Sequence, residues 1–258
     1  MLKKKIVIIL TAIVIAAVSV LSITTVFRVR GVTVNTAVIS EVAKDEAQQL
    51  QEKLLKEYKH DSSFFVDESK AKKILEDFPY FRLTGFEKSY PDRVVINVAE
   101  HVEGYAVKKA GVESYYIIGE DGLVLSERDS CANRLDGLPN VVIEGEGLNV
   151  NGAKGQKLQG DEKWSAVLAF CNAFSEKVNG IRDNVVKVEV EKYAPVCLTM
   201  REGVKIYVGS METLTAEKAE AAASKYLALA DAERMNGMIM VDDKAGQVIV
   251  SYQIKDFQ

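Results

Sequence analysis

The segment that decides the fold reads YPDRVVINVAE and covers residues 90–100. Its first three residues, Tyr90-Pro91-Asp92, are typical of a turn, because proline presets φ and aspartate hydrogen-bonds to nearby backbone. The next eight residues alternate between two sets, Val94, Ile96 and Val98 against Val95, Asn97 and Ala99. This alternation predicts a strand over Arg93–Glu100 with one face better buried than the other. A strand over Phe81–Ser89 precedes the turn, so the two strands are predicted to form a hairpin.

Two helices and a further strand are predicted before this hairpin. Apolar residues recur every three or four positions from Val38 to Tyr58, which places them on one helical face. Asp67 is a suitable N-cap for a shorter helix, which Pro79 helps to end. Apolar alternation over Phe27–Val34 predicts a strand. The order strand, helix, helix, strand, strand indicates a small α/β unit over residues 27–101.

An uncharged apolar run, IVIILTAIVIAAVSVLSITTV over residues 6–26, follows three lysines near the start of the chain. About 20 apolar residues suffice to cross a hydrocarbon core of roughly 30 Å as a helix. We therefore predict a transmembrane helix that contacts the membrane through Ile6–Val26. The lysines favour a cytoplasmic start at residues 1–5. The expected localisation is the cell membrane, single-pass, with the bulk of the chain extracytoplasmic.

A cleaved signal peptide is the alternative reading of this run. The charged start and the apolar middle fit such a peptide as well as an anchor. The apolar stretch is longer than a signal peptide usually has, and no clear small-x-small cleavage site follows it. The uncleaved helix is therefore preferred.

Beyond Glu100 the pattern changes to short strands separated by turns, together with two helices. Asp161 can cap the first of these helices, and the second is predicted over Ala216–Met235. The chain closes with a β-prone segment over Gln247–Ile254. These patterns predict a β-rich domain over residues 102–258. The fold class is therefore α+β, with the transmembrane helix, the small unit and the β-rich domain in that order.

Composition and motifs exclude several classes of function. Beyond residue 30 the chain holds 28 Lys and Arg against 37 Asp and Glu, a net charge of −9, which disfavours nucleic acid as the main ligand. No catalytic, nucleotide-binding or metal-binding motif occurs, so we expect no enzyme, no cofactor and no metal. The three cysteines, Cys131, Cys171 and Cys197, are too few and too far apart for a disulfide framework. A single Cys131–Cys197 bridge stays open, and Cys171 lies in an apolar helical pattern.

Several short motifs, in this order, resemble the FtsQ/DivIB family of bacterial cell-division proteins. They are Phe27-x-Val29-x-x-Val32-x-Val34, the segment over residues 90–100, and Gly209-x(4)-Leu214-x(3)-Lys218. The resemblance implies a membrane anchor, a POTRA domain over residues 27–101 and a β-rich domain after it. It also implies a non-enzymatic scaffold that links division proteins at the septum. The implied partners are proteins of the DivIC/FtsB and FtsL type and the septal peptidoglycan synthase.

The last predicted strand is the candidate partner site. Val248–Ile254 contains neither charge nor proline, the residues that usually protect an exposed sheet edge. A partner can add its own strand at such an edge, and aromatic side chains often anchor such contacts. The sequence alone leaves open whether this strand is interior, covered or free; the resemblance implies that small coiled-coil partners dock at the far-end strands. The candidate partner-binding residues are Ile249, Val250, Tyr252, Ile254 and Phe257.

Two other functions stay open at this point. A membrane-anchored cell-wall enzyme would need a cleft with convergent acids or an activated nucleophile. A secreted binding module would need the apolar run to be removed. The motifs described above favour the scaffold.

Overall fold

The computed structural model describes residues 2–37, 40–59, 61–244 and 246–254; within the helices, the side chains of residues 2–8, 22–24, 41 and 42 are not described. The chain forms two compact units, Met1–His101 and Val102–Gln258. The first unit contains a small three-stranded sheet, and the second contains a mixed nine-stranded sheet. The fold is thus α+β with one large mixed sheet.

The prediction of a transmembrane helix is wrong. The first helix, α1, runs over Leu2–Val26, and its side chains from Ile9 to Leu21 are exposed. Within the described part of the chain, no helix has both the length and the apolar character that a membrane crossing requires. The span over Ile6–Val26 and the single-pass localisation are corrected accordingly.

The first unit follows the order strand, helix, helix, strand, strand. Its elements are β1 (Gly31–Ala37), α2 (Glu41–Tyr58), α3 (Glu68–Leu75), β2 (Phe81–Ser89) and β3 (Arg93–Glu100). The sheet order is β1-β3-β2, with β1 parallel to β3 and β2 antiparallel to it. The buried side chains of the helices, among them Leu50, Leu54, Tyr58 and Ile74, pack in one core with Val94 and Ile96 of β3. The alternation in residues 93–100 therefore reflects burial of one face of β3.

The first strand begins later than the sequence predicts. Residues 27–30 precede β1 and bond to two loops instead of to β3. The Val29 N–H donates to the Asp61 carbonyl at 2.9 Å, and the Arg30 N–H donates to the Asp92 carbonyl at 2.8 Å. The Phe27 ring lies 4.3 Å from the Phe64 ring, centroid to centroid. These contacts use the backbone groups that a longer β1 would need.

Glu100, the last residue of β3, is buried and hydrogen-bonds to Ser40, the N-cap residue of α2. Its carboxylate accepts from the Ser40 N–H at 3.0 Å and from the Ser40 hydroxyl at 2.6 Å. The same hydroxyl oxygen accepts from the Ala43 N–H at 3.1 Å, which caps α2. Glu100 therefore links the end of the hairpin to the N-terminus of the helix.

The described part of the second unit contains eleven strands, nine in the large sheet and two in a small ribbon. In chain order they are β4 (Tyr105–Lys108), β5 (Tyr115–Ile118), β6 (Val124–Arg128), β7 (Val141–Glu144), β8 (Val150–Asn151), β9 (Gln159–Gly160), β10 (Val185–Glu189), β11 (Val196–Met200), β12 (Lys205–Val208), β13 (Gly237–Lys244) and β14 (Gln247–Ile254). The large sheet has the order β14-β13-β12-β11-β10-β7-β4-β5-β6, and β8 pairs with β9. Parallel pairs join β7 to β4 and to β10, and β12 to β13.

The described part of the second unit contains four α-helices, where the sequence predicts two, and one short 3-10 helix over Met211–Thr213. The α-helices are α4 (Glu162–Val178), α5 (Ile181–Asn184), α6 (Ala216–Leu227) and α7 (Asp231–Met235). The predicted helix over Ala216–Met235 is therefore divided. The division lies at residues 228–230, where Leu229 is buried and the Glu233 carboxylate accepts from the Ala230 N–H at 2.8 Å. That bond caps a new helix in place of continuing the old one.

Helices α4 and α6 bring apolar side chains into one core with the large sheet. Trp164, Val167, Phe170 and Phe174 of α4 are buried, and so are Ala219, Ala222, Ala223 and Tyr226 of α6. Asp161 caps α4 by accepting from the Trp164 N–H at 3.1 Å, and Thr215 caps α6 in the same way. The caps fix where each helix begins, and the buried stripes fix which face meets the sheet.

A buried polar network lies at the start of the second unit, around Glu103, which is 2% exposed. Its carboxylate accepts from the Arg128 guanidinium at 2.8 Å, from the Asn140 amide at 3.0 Å and from the Arg134 N–H at 3.2 Å. Asn133 joins the network by donating to the Glu103 carbonyl at 3.1 Å and to the Asn140 side chain at 2.7 Å. Glu103 thus satisfies donors from three separate segments.

The three cysteines are free thiols, which answers the question of a Cys131–Cys197 bridge. Cys171 is fully buried, and burial raises the pKa of its thiol to about 12. Burial also raises the pKa of Cys197, which is 6% exposed. Cys131 is partly exposed.

We expect iodoacetamide to alkylate Cys131 in the native protein and to leave Cys171 unmodified. The thiolate is the reactive form, and a buried thiol of raised pKa supplies very little of it. Peptide mass spectrometry before and after addition of denaturant measures this difference. Modification of Cys171 in the native protein, at a rate close to that of Cys131, would contradict the buried placement.

Candidate functional site

The candidate partner strand, β14, lies at one end of the nine-stranded sheet. It pairs antiparallel with β13 along its whole length, from Lys244 opposite Gln247 to Gly237 opposite Ile254. In an antiparallel ladder, the backbone groups of alternate residues point away from the neighbouring strand. Within residues 2–37, 40–59, 61–244 and 246–254, β13 is the only strand that pairs with β14. Within those residues, the outward-facing donors and acceptors of β14 therefore pair with no other strand.

The opposite end of the sheet, at β6, is protected in two ways. The segment before β9 covers its start, since Val124 donates to the Gln156 carbonyl and accepts from the Gly155 N–H. Its last two residues are charged: Glu127 pairs with Lys109 at 2.7 Å, and Arg128 pairs with Glu103. By contrast, Gln247–Ile254 holds no charge and no proline. Of the two ends, β14 lacks the usual protection against pairing.

The side chains of β14 alternate between two faces, and this alternation divides the predicted site. Val248, Val250 and Tyr252 are partly buried and pack against the core of the second unit. Ile249 points to the opposite face and is 43% exposed, with Ser251 and Gln253 on the same side. The structure therefore separates Val250 and Tyr252 from Ile249.

The remaining predicted residues lie at the end of the strand. Ile254 is 68% exposed and pairs with Gly237. Phe257 lies outside the described residues. The exposed side chains that a partner could contact are therefore Ile249 and Ile254. Val250 and Tyr252 pack against the core and hold the strand in place.

Tyr252 is held in place by several contacts. Its hydroxyl donates to the Glu233 carbonyl at 2.9 Å, and the Lys225 ammonium lies 6.0 Å from its ring centroid. Its ring lies so close to Gly237 that a side chain at that position would collide with it. Burial, followed by the nearby Glu233 charge, raises the pKa of the Tyr252 hydroxyl. Tyr252 is thus a fixed part of the strand and stays neutral.

The face that carries Ile249 continues across neighbouring strands. Met240 stands opposite Ser251 on β13, Met238 stands opposite Gln253, and Tyr207 of β12 pairs with Met240. All three of these larger side chains are half-buried. Within the described residues, no other element covers these three side chains completely. A strand added at β14 would therefore have a partly apolar surface beside it.

The described residues include no cluster of three or more His, Cys, Asp or Glu side chains that could hold a metal ion. Two acidic residues near β14 are engaged in contacts within the fold, since Asp243 pairs with Lys218 and Glu233 caps α7. Asp242, opposite Ile249 on β13, is exposed. The chemistry that this region offers is therefore backbone pairing and apolar contact beside an exposed carboxylate.

Sequence reasoning named Lys218 of α6 only as part of a motif and missed that it is buried beside this strand, at 2% exposure. One pattern could have revealed it. Lys218 lies four residues before Ala222 and eight before Tyr226, both of which are buried, so it shares the inward face of α6. A charged residue on a buried stripe indicates a partner for the charge.

No protein-family model matches the sequence, and no curated protein is significantly similar to it.

Proposed function

We propose that this protein is a non-enzymatic scaffold that binds proteins of the bacterial division machinery through the free edge of β14. The partners proposed are proteins of the DivIC/FtsB and FtsL type, with the septal peptidoglycan synthase as a further member of the assembly. The motifs that resemble the FtsQ/DivIB family support this assignment. The order of elements in the first unit, with β1 paired to β3, agrees with the POTRA domain that the resemblance implies.

The observation that carries the proposal is the unprotected edge of β14. An eight-residue strand without charge or proline offers a continuous set of backbone donors and acceptors. Main-chain bonds to an added strand provide affinity, and the side chains on alternate positions provide specificity. Ile249 and Ile254 are the exposed apolar side chains beside those bonds.

The test is the substitution Ile249→Lys. A lysine on this face leaves the core unchanged but adds a charge at the edge, a device that natural proteins use against strand pairing. We expect the affinity for a purified partner of the DivIC/FtsB type to fall at least about tenfold, equivalent to about 1.4 kcal/mol. Isothermal titration calorimetry measures the affinity, and thermal unfolding checks the fold.

Val112→Lys is the matched control. Val112 is also an exposed aliphatic residue, at 50% against 43% for Ile249, and it lies in the turn between β4 and β5. This control should leave both affinity and Tm unchanged. Unchanged affinity in a folded Ile249→Lys variant would refute the edge as the binding site. A wild-type protein that binds none of these partners would refute the proposed function.

Substitutions at Val250 and Tyr252 are less informative than Ile249→Lys. Val250→Lys and Tyr252→Ala alter side chains that pack against the core, so each is expected to destabilise the hairpin. A loss of binding in those variants would report on folding as much as on contact. Ile249 avoids this ambiguity because its side chain leaves the sheet on the exposed face.

A further inference from the structure

Lys218 occupies a place that normally disfavours a cation. It lies in the first turn of α6, where its N–H donates to the Thr215 hydroxyl oxygen of the N-cap at 3.2 Å. The positive end of the helix dipole lies at this turn, so a cation there is unfavourable. The side chain is also almost fully buried, which removes the ammonium from water. A lysine in such a place needs a specific compensating contact.

Asp243 supplies that contact. Its carboxylate lies 2.5 Å from the Lys218 ammonium, and its own side chain is 50% exposed. Asp243 belongs to β13 and stands opposite Val248, next to the turn into β14. The ion pair therefore joins the N-terminal turn of α6 to the turn end of the β13–β14 hairpin.

Gly209 provides the room for the lysine head. A Cβ atom at this position would lie 3.3 Å from the Lys218 ammonium and would collide with the Thr213 hydroxyl. Leu214, between the glycine and the lysine, is 8% exposed and belongs to the core. The spacing of these three residues thus has a local physical explanation. Gly209 leaves space for the lysine head, Leu214 packs in the core, and Lys218 supplies the cation that pairs with Asp243.

We propose that Lys218 is a positioning residue for the edge strand. Its ammonium holds Asp243, and through it the turn end of the hairpin, against α6, so that β14 presents a straight and ordered edge. The consequence for partner binding rests on the proposed function. The positioning itself is a property of the protein without any partner.

The two members of the pair should respond differently to substitution. Lys218→Met removes the buried charge, and Asp243, half-exposed, is left to water. Asp243→Asn leaves a buried ammonium without its counter-charge, which is the costly way to break such a pair. Both substitutions release the hairpin from α6, but only the second leaves an unpaired charge in the core.

The experiment compares Lys218→Met, Asp243→Asn and the double variant in the full chain. Amide hydrogen exchange of the peptides covering residues 237–254 reports on the hairpin, and Tm reports on the whole unit. For Lys218→Met we expect a Tm within about 2 °C of wild type and hairpin exchange about tenfold faster. For Asp243→Asn we expect a Tm lower by about 10 °C. The double variant should regain most of that Tm while its hairpin exchange stays fast.

Lys163→Met is the matched control, because Lys163 is also in the first turn of a helix and pairs with Glu212 at 2.6 Å, but on the surface. It should change neither the Tm nor the hairpin exchange. Hairpin exchange in Lys218→Met as slow as in wild type would overturn the proposal. A uniform rise in exchange across the second unit with a lower Tm would also overturn it, since the role would then be merely structural.

Partner affinity separates this inference from the proposed function. If wild type binds a partner of the DivIC/FtsB type, Lys218→Met should weaken that binding at least about fivefold at nearly unchanged Tm. Equal affinity in a variant whose hairpin exchanges faster would overturn the link between positioning and binding. If wild type binds no such partner, the proposed function fails, and hydrogen exchange still decides whether Lys218 positions the hairpin.

Discussion

Replacing Glu103 by alanine should lower the free energy of unfolding of the second unit by about 3–5 kcal/mol. The substitution removes the one carboxylate that accepts from Arg128, Asn140 and the Arg134 N–H in a buried site. A buried donor that is left without an acceptor costs its full desolvation free energy, which exceeds the net contribution of one average hydrogen bond. The alanine also removes the carboxylate that pairs with the Arg128 charge at 2.8 Å.

Chemical denaturation followed by the fluorescence of Trp164 measures this loss. Trp164 is the only tryptophan of the chain and is buried in the second unit, so its emission reports on that unit. The control is Glu113→Ala, because Glu113 is exposed and lies 3.5 Å from Lys108 in a surface pair. This control should change stability by less than about 0.5 kcal/mol. A Glu103→Ala variant as stable as the control would show that the network contributes little.

Replacing Glu100 by alanine should destabilise the first unit by about 2–3 kcal/mol and leave the second unaffected. The carboxylate accepts two hydrogen bonds from Ser40, and these orient the hydroxyl that caps α2. Their loss removes two charge-assisted bonds and weakens a helix cap. Glu100 and Glu103 are only three residues apart, yet each substitution is expected to act on a different unit.

Far-UV circular dichroism and Trp164 fluorescence, recorded on the same sample, test that separation. In Glu100→Ala the circular dichroism should show an early transition that the tryptophan does not follow. Glu87→Ala, an exposed position on β2, serves as the control and should leave both signals unchanged. Coincident early transitions by both probes would show that the units unfold together and that the division at residue 101 has no thermodynamic meaning.

Local patterns predicted much of the secondary structure. The period-two alternation places β3 over Arg93–Glu100, and the aspartates Asp67 and Asp161 mark the starts of α3 and α4. These signals depend on residues close in sequence, so they can be read without knowledge of the tertiary contacts. The break at residues 228–230 left no such signal, because it contains neither glycine nor proline. It depends on the burial of Leu229 and on the Glu233 cap, which only the folded chain supplies.

The candidate site was predictable only in part. The absence of charge in residues 247–254 identified an unusual strand, and the alternation of Val248, Val250 and Tyr252 with the polar Ser251 and Gln253 predicts which face is buried. The sequence analysis nevertheless placed Ile249 in one site with Val250 and Tyr252, whereas the structure places it on the opposite, exposed face. The apolar run over residues 6–26 was read as a membrane span from composition and length, and that prediction is wrong for the reason given with α1.

The position of β7 in the large sheet has a consequence for cooperativity. This four-residue strand, Val141–Glu144, is the only link in the described sheet between the block β4-β5-β6 and the block β10 to β14. Both of its ladders are parallel, so neither is closed by a tight hairpin. Opening of β7 alone would separate the sheet into two smaller foldons, held together by the helices that cover them. Pairing of these four residues therefore couples the two blocks of strands, so that the second unit unfolds in one cooperative transition.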